Sequence, residues 1–364
     1  VSASEAPIEA VSQRLDTFIS AQRSSVAGLG DEAALLVDAA AGSLAGGKRL
    51  RARFCLAGWR AVEEATGRVA GAPPESVISA AAALEVFHAA ALVHDDLIDN
   101  SDTRRGRPSA HRGLEASHRR AGWIGDAAAF GRSAAILLGD LLVAWSDDLL
   151  EEGLAAAPER ATAARAEYAT MRREVTLGQF LDVAEESAFA SEADELHAGR
   201  ALRVASLKSA RYSIQQPLAI GAALAGADAG QTRALAAFGH PLGMAFQLRD
   251  DVLGVFGNER ETGKPSGDDL REGKRTVLIA YARESLERPA RRILDELVGD
   301  PQLDDAQIAS LQRTIVDSGA LERVESLIAE FAREADRALI GARLGNAAVS
   351  ELRDLARAAT VRVA

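Results

Sequence analysis

A single cysteine, few aromatic residues, no surplus of positive charge and no long apolar run are the first features of this 364-residue chain. Cys55 stands alone, so neither an intrachain disulfide nor a cysteine-built zinc site can form, and the thiol reads as a small core hydrophobe. The 42 Lys and Arg residues are outnumbered by 53 Asp and Glu, a formal charge of −11. No net positive field gathers phosphates, which argues against nucleic acid as the main partner. The richest apolar stretch, residues 80–93, is interrupted by Glu85 and His88, so no transmembrane segment is expected. Glu5 and Glu9 stand where a secretory leader needs basic residues, and a cytoplasmic location is the expectation.

What remains is rich in alanine and leucine, with aromatics at 4%, a composition that favours helix. Residues 78–99, 133–150, 201–225 and 235–256 are apolar on most faces, as helices inside a bundle are. Residues 161–182 and 307–339 alternate charged and apolar positions, as outer helices do. Breaks fall at 71–74, 100–113, Pro158, 257–273 and 299–301. There is no strand-like alternation, no fixed-period repeat and no Gly/Ser/Pro linker. The expected fold is all-α, one large helical domain over residues 1–364, with the motif-bearing part at about 46–280.

Chemistry begins at the end of the first apolar helix, in His94-Asp95-Asp96-Leu97-Ile98-Asp99. Asp95 and Asp99 are four apart and share a helix face, with Asp96 alongside; Asp102 joins that face if the helix continues. Stacked carboxylates destabilise a helix end unless a cation sits between them, and hard oxygens suit Mg²⁺ completed by water and phosphate. A second cluster closes another apolar helix: Gln247, Asp250, Asp251 and Gly254 fall at i, i+3, i+4 and i+7. Two such helix ends suggest two walls of one metal–diphosphate chamber. Cations are available at Lys48 and Arg51, at Arg104 and Arg105, at Lys208, and at Lys264 and Lys274, enough for two diphosphates. His88 lies seven residues before Asp95, about 20° away on the helical wheel.

These residues resemble the trans-isoprenyl diphosphate synthases, the polyprenyl synthetase family, whose landmarks occur here in order. They are GGKRLR, FHAAALVHDDLIDNSDTRRGRPSAH, Gly139-Asp140, GQFLD at 178–182, Lys208-Ser209, and FQLRDDVLGVFG followed by TGKPSGDDLREGK. The resemblance implies a bundle around a deep central cavity, commonly a homodimer. It implies chain elongation of an allylic diphosphate by isopentenyl diphosphate, with three Mg²⁺ ions when substrate is bound. It assigns metal binding to Asp95, Asp96, Asp99, Asp250 and Asp251. Arg104, Lys208, Gln247, Lys264 and Lys274 would contact the allylic diphosphate. Lys48, Arg51, His88 and Arg105 would hold isopentenyl diphosphate, and Ser209, Gln179 and Asp182 would lie near the allylic group. One departure is Gly254, where the second motif usually carries a third Asp; Asp268 or Asp269 is the candidate to replace it.

Product length in this family follows the residues upstream of the first aspartate. Ala91 and Ala90, four and five positions before Asp95, are small and leave the tunnel open, while Phe87 can floor it about 12 Å down. The expected product is geranylgeranyl diphosphate (C20), with farnesyl or longer-chain synthesis as the alternative; Leu138 or Leu142 could set the limit instead. Two rivals are a class I terpene cyclase and a non-catalytic subunit of a hetero-oligomeric synthase. The first leaves the Lys48/Arg51/Arg105 site unexplained, and the second fits eroded motifs, of which Gly254 is the single instance.

Overall fold

The computed structural model describes residues 5–67, 71–257 and 266–360. Helices carry almost all of it, in two compact units. The first unit comprises Val1–Glu63, Arg68–Ala164 and Ile220–Gly226; the second comprises Glu64–Gly67, Arg165–Ala219 and Ala227–Ala364.

In the first unit α1 (Ala6–Ser25), α2 (Asp31–Leu44) and α5 (Ala110–Arg120) pack around α4 (Glu75–Ile98), whose main partner is α6 (Ala127–Ala155). Helix α4 is buried because nearly every side chain from Ser76 to Ala90 is apolar or small. Its one acid there, Glu85, accepts from the Ala52 backbone N–H at 3.0 Å and lies 3.7 Å from Arg49. It thereby satisfies an orphan donor in the first turn of α3 (Leu50–Ala65). Cys55, on α3, is fully buried as expected, and burial pushes its thiol up to about 12.

By length and apolarity alone α4 and α6 could each span a membrane, but 83% of the apolar window of α4 is buried within the protein. For α6 the figure is 39%, so the expectation that residues 133–150 are enclosed on most faces is corrected: Ile136 and Leu137 are exposed. Helix α6 starts at Asp126, whose carboxylate accepts from the N–H groups of Ala128 and Ala129.

Helix α7 (Pro158–Ala188) starts at the expected proline. In the second unit α8 (His197–Val204) runs into an eleven-residue π-helix, Ala205–Gln215; α9 (Gln216–Ala225) follows and is divided between the two units at Ile220. The long α10 (Ala229–Phe256) packs against that π-helix. It opens on a capping box in which Asp228 and Gln231 exchange side-chain-to-backbone bonds. Then come α11 (Asp268–Glu272), α12 (Val277–Ser285), α13 (Arg288–Leu297), α14 (Asp305–Asp317), α15 (Ala320–Ala338) and α16 (Asn346–Thr360). Helix α15 closes one side of α10, and the intervening core is aliphatic, with Leu248, Val252, Leu278 and Val324 buried.

The sequence reading missed the extended structure present among the described residues, a hairpin in the first unit. Strand β1 (Thr103–Arg104) pairs antiparallel with β2 (Arg107–Pro108). Arg105 and Gly106 between them have φ of 53° and 70°, the double left-handed turn that matches strand twist.

Candidate active site

The first unit gathers one group of expected residues. Asp95 and Asp96 occupy the last turn of α4, and Asp99 caps it. Arg104 reaches back from β1: its Nε donates to Asp96 Oδ1 at 2.7 Å and its Nη2 to Asp95 Oδ2 at 3.3 Å. The cation that stacked carboxylates require is therefore supplied from within the chain. Asp102 does not join them. The helix ends before it, and Asp102 is exposed and accepts from Arg112 at 2.7 Å.

Beside this helix end is a knot of arginines. Gly46 and Gly47 take φ of 74° and 88° ahead of α3. A Cβ on Gly47 would meet the Arg105 guanidinium at 2.8 Å, so the glycine admits that side chain. His88, partly buried on α4, is held well below its usual pKa by burial and by Arg51, Arg105, Arg104 and Arg49. Arg51 is buried and Lys48 exposed. Arg49 turns to the Leu44 carbonyl, 2.9 Å away, and toward Glu85, which makes it a structural member of GGKRLR. Phe87 and Ala90 are buried, at 6% and 1% exposure, and Ala91 is partly open.

The second unit gathers another group. At the end of α10 the Gln247 amide donates to Asp251 Oδ1 at 2.7 Å. The Asp251 carboxyl is pushed up to about 8 by burial and by the carboxylates of Asp269 and Asp250. Asp269 fills the space above Gly254: a Cβ there would fall 1.9 Å from Asp269 Oδ2. Of the two candidates for the missing third acid, Asp269 is therefore the one at that place. Lys274 lies 3.4 Å from Asp269 and 2.7 Å from Glu272. Lys264 falls outside the described residues.

Lys208 and Ser209 sit on the π-helix, and the Lys208 ammonium donates to Asp182 Oδ2 at 2.5 Å. Gln179 is partly buried on α7, one turn before Asp182. The neighbouring Gly178 meets that helix backbone to backbone, since a Cβ on it would lie 2.5 Å from the Lys208 nitrogen. Gly139 does similar service in the first unit. It leaves room for the His94 ring, whose Nε2 is 3.3 Å from the Ile136 carbonyl oxygen and 3.6 Å from Asp140. Neither packing role carried a signal in the one-dimensional pattern beyond the presence of glycine in a helix.

Residues 34–315 match the polyprenyl synthetase family model. The chain belongs to the polyprenyl synthetase family. It is 33% identical to the geranylfarnesyl diphosphate synthase of Aeropyrum pernix over 78% of this chain and 79% of that one. It is equally 33% identical to the (2E,6E)-farnesyl diphosphate synthase of Mycobacterium bovis over 79% and 74% of the two chains. The solved geranylgeranyl pyrophosphate synthase of Corynebacterium glutamicum, complexed with isoprenyl diphosphate and magnesium, covers 100% of each chain at 39% identity and a TM-score of 0.91. The polyprenyl synthetase assignment makes this an isoprenyl diphosphate synthase, a prenyltransferase, with the expected all-α fold.

The donor set suits magnesium, which the family uses. Among the described residues no three His, Cys, Asp or Glu side chains close around one ion. Carboxylates crowd one another at Asp250, Asp251 and Asp269, all of them hard oxygen donors. A partial carboxylate shell completed by water and substrate phosphate is the usual Mg²⁺ arrangement.

Proposed function

We propose that this prenyltransferase condenses an allylic diphosphate with isopentenyl diphosphate in a Mg²⁺-dependent reaction and stops at C20, geranylgeranyl diphosphate. The observation that carries the reading is the end of α4, where Asp95 and Asp96 meet Arg104 directly above a buried helix of small residues.

Asp95, Asp96 and Asp99, with Asp250 and Asp251, hold the metal, and Asp269 supplies the carboxylate that Gly254 lacks. Bound Mg²⁺ neutralises the leaving diphosphate and eases its departure. Arg104, Lys208, Gln247, Lys264 and Lys274 contact the allylic diphosphate and bind it more tightly as its charge grows in the transition state. Lys48, Arg51, His88 and Arg105 hold isopentenyl diphosphate without metal. Support for a metal-free anion site comes from the cations around His88, whose pKa is lowered first by burial and then by Arg51, Arg105, Arg104 and Arg49. Ser209, Gln179 and Asp182 position the allylic group. Apolar walls exclude water from the allylic cation, and the departing diphosphate takes the proton released after condensation.

Phe87 floors the chain-length channel, with Ala90 and Ala91 leaving the space above it open. Its burial and helical spacing support this role. The test is incubation of the purified chain with isopentenyl diphosphate, Mg²⁺ and each of the C5, C10 and C15 primers. A C20 product that lengthens in Phe87→Ala is the expected result. A C15 product, or one of C25 and above, from the unmodified chain overturns the C20 reading, a hydrocarbon product favours cyclisation, and no turnover without a partner chain favours a subunit role. Exposed Ile136 and Leu137 on α6, and Leu177 and Phe180 on α7, support burial of apolar surface in a homodimer.

A further inference from the structure

The first unit contains a cavity of about 610 Å³ beside α4. Ala89, Leu92, Val93 and Asp96 line it. Their face is centred about 150° around the helix from that of Phe87, Ala91 and Asp95. Helices α2 and α5 provide the remaining walls, and one rim is the 103–108 hairpin with Arg104, Arg105 and Arg107. The volume falls within the range of about 300–1,000 Å³ usual for small-molecule sites.

Two features point to an occupant with an anionic head and an apolar tail. The first is charge. The two wall acids are already matched, Asp38 with Arg23 at 2.9 Å and Asp96 with Arg104. Among the described residues no carboxylate lies within 4.0 Å of Arg105 or Arg107, so the rim carries net positive charge. The second is shape. Gly42, inside α2, and Gly113, inside α5, both face the cavity, and a Cβ on either would meet nothing within 4 Å. Glycine inside a helix costs about 1 kcal/mol relative to alanine, and packing does not require it at either place. Glycine there widens a groove whose apolar walls are Leu35, Leu92, Val93 and Leu114.

We propose that this cavity is an accessory binding site for a prenyl diphosphate. Its diphosphate rests on Arg107 at the hairpin rim, next to the Arg105 that serves isopentenyl diphosphate, and its hydrocarbon tail lies between α2, α4 and α5. The inference rests on the prenyltransferase reading, because that reaction makes molecules of this chemistry. Arg104 joins the cavity to the catalytic end of α4, since it lines the cavity and bonds both Asp95 and Asp96. A diphosphate on the rim draws Arg104 from those carboxylates. Accumulated product thus slows its own synthesis from a site outside the elongation tunnel.

The experiment measures calorimetric binding of geranylgeranyl diphosphate to the full chain in EDTA, with inorganic diphosphate and geranylgeraniol as head-only and tail-only probes. Gly113→Leu fills the cavity, and Arg107→Glu reverses charge at an exposed rim position. Each is expected to weaken binding of the intact amphiphile at least tenfold and to raise the product concentration needed for half-inhibition by a similar factor. Initial rates with the C5 primer should stay within twofold of the unmodified chain. Equal affinity in both variants overturns the accessory site. If Gly113→Leu loses its helical circular dichroism, Arg107→Glu alone decides. A chain that elongates normally while both variants bind product unchanged defeats only this inference, whereas no elongation with any primer defeats the prenyltransferase reading. The EDTA comparison still reports on the cavity in that case.

Discussion

Asp251 is a buried carboxyl set among other acids. Burial and two neighbouring acids raise it from 3.8 to about 8 in the folded chain, so the native state binds a proton that the unfolded state has released. The stability this group contributes is full below pH 3.8 and is lost as pH rises through about 8. In EDTA the melting temperature is expected to fall between pH 5 and pH 8, with a shallower fall in Asp251→Asn; equal slopes would show that the carboxyl titrates normally. Asp95→Ala is expected to lower kcat at least a thousandfold while far-ultraviolet circular dichroism stays unchanged, because its partner Arg104 then holds only Asp96. Arg105→Ala should raise KM for isopentenyl diphosphate more than for the allylic primer, and the opposite pattern exchanges the two sites. The grouping of Asp95, Asp96 and Asp99 and that of Gln247, Asp250 and Asp251 were legible in the sequence because these residues cluster at helix ends behind apolar runs. Arg49, Glu85 and Asp269 were harder to read: each takes its meaning from a partner brought near by folding, as Ala52 is to Glu85 across 33 positions.

At the scale of the element, glycines set how closely helices approach. Gly178 brings α7 against the π-helix at Lys208, and Gly243 brings α10 against it at Ala210, where a Cβ would lie 2.4 Å from the carbonyl oxygen. Gly178→Ala is expected to destabilise the fold by about 1–3 kcal/mol through overpacking. It should also lower kcat, because Lys208 and Asp182 are positioned across that contact. Thermal melting and steady-state rates check both, and an unchanged melting temperature would show that the helices yield freely. Helix existence was readable from composition, and most breaks from Gly and Pro. The hairpin was not, since two-residue strands are too short to show alternation. The π-helix was also hidden: its i→i+5 bonding leaves no residue-type signature, yet it carries Lys208 and Ser209. The half-exposed α6 was misread because apolar periodicity reports a greasy face without saying what covers it.

For the whole molecule, membership of the family fixes the reaction class, while relatives named for farnesyl, geranylfarnesyl and geranylgeranyl products share similar identity with this chain. Overall likeness therefore says little about product length, for which Phe87 is the proposed determinant. A native mass of twice the chain, reduced to one on Leu137→Glu, is the expected signature of the proposed homodimer; a monomer before substitution removes it. The replacement at Gly254 reaches beyond this molecule. A catalogue keyed to a five-letter acidic signature would file this chain as defective, although the proposed substitute for the absent carboxylate, Asp269, comes fifteen positions later and lies against the bare α-carbon. Spatial superposition, not letter-by-letter comparison, is the fair way to sort working synthases from spent ones.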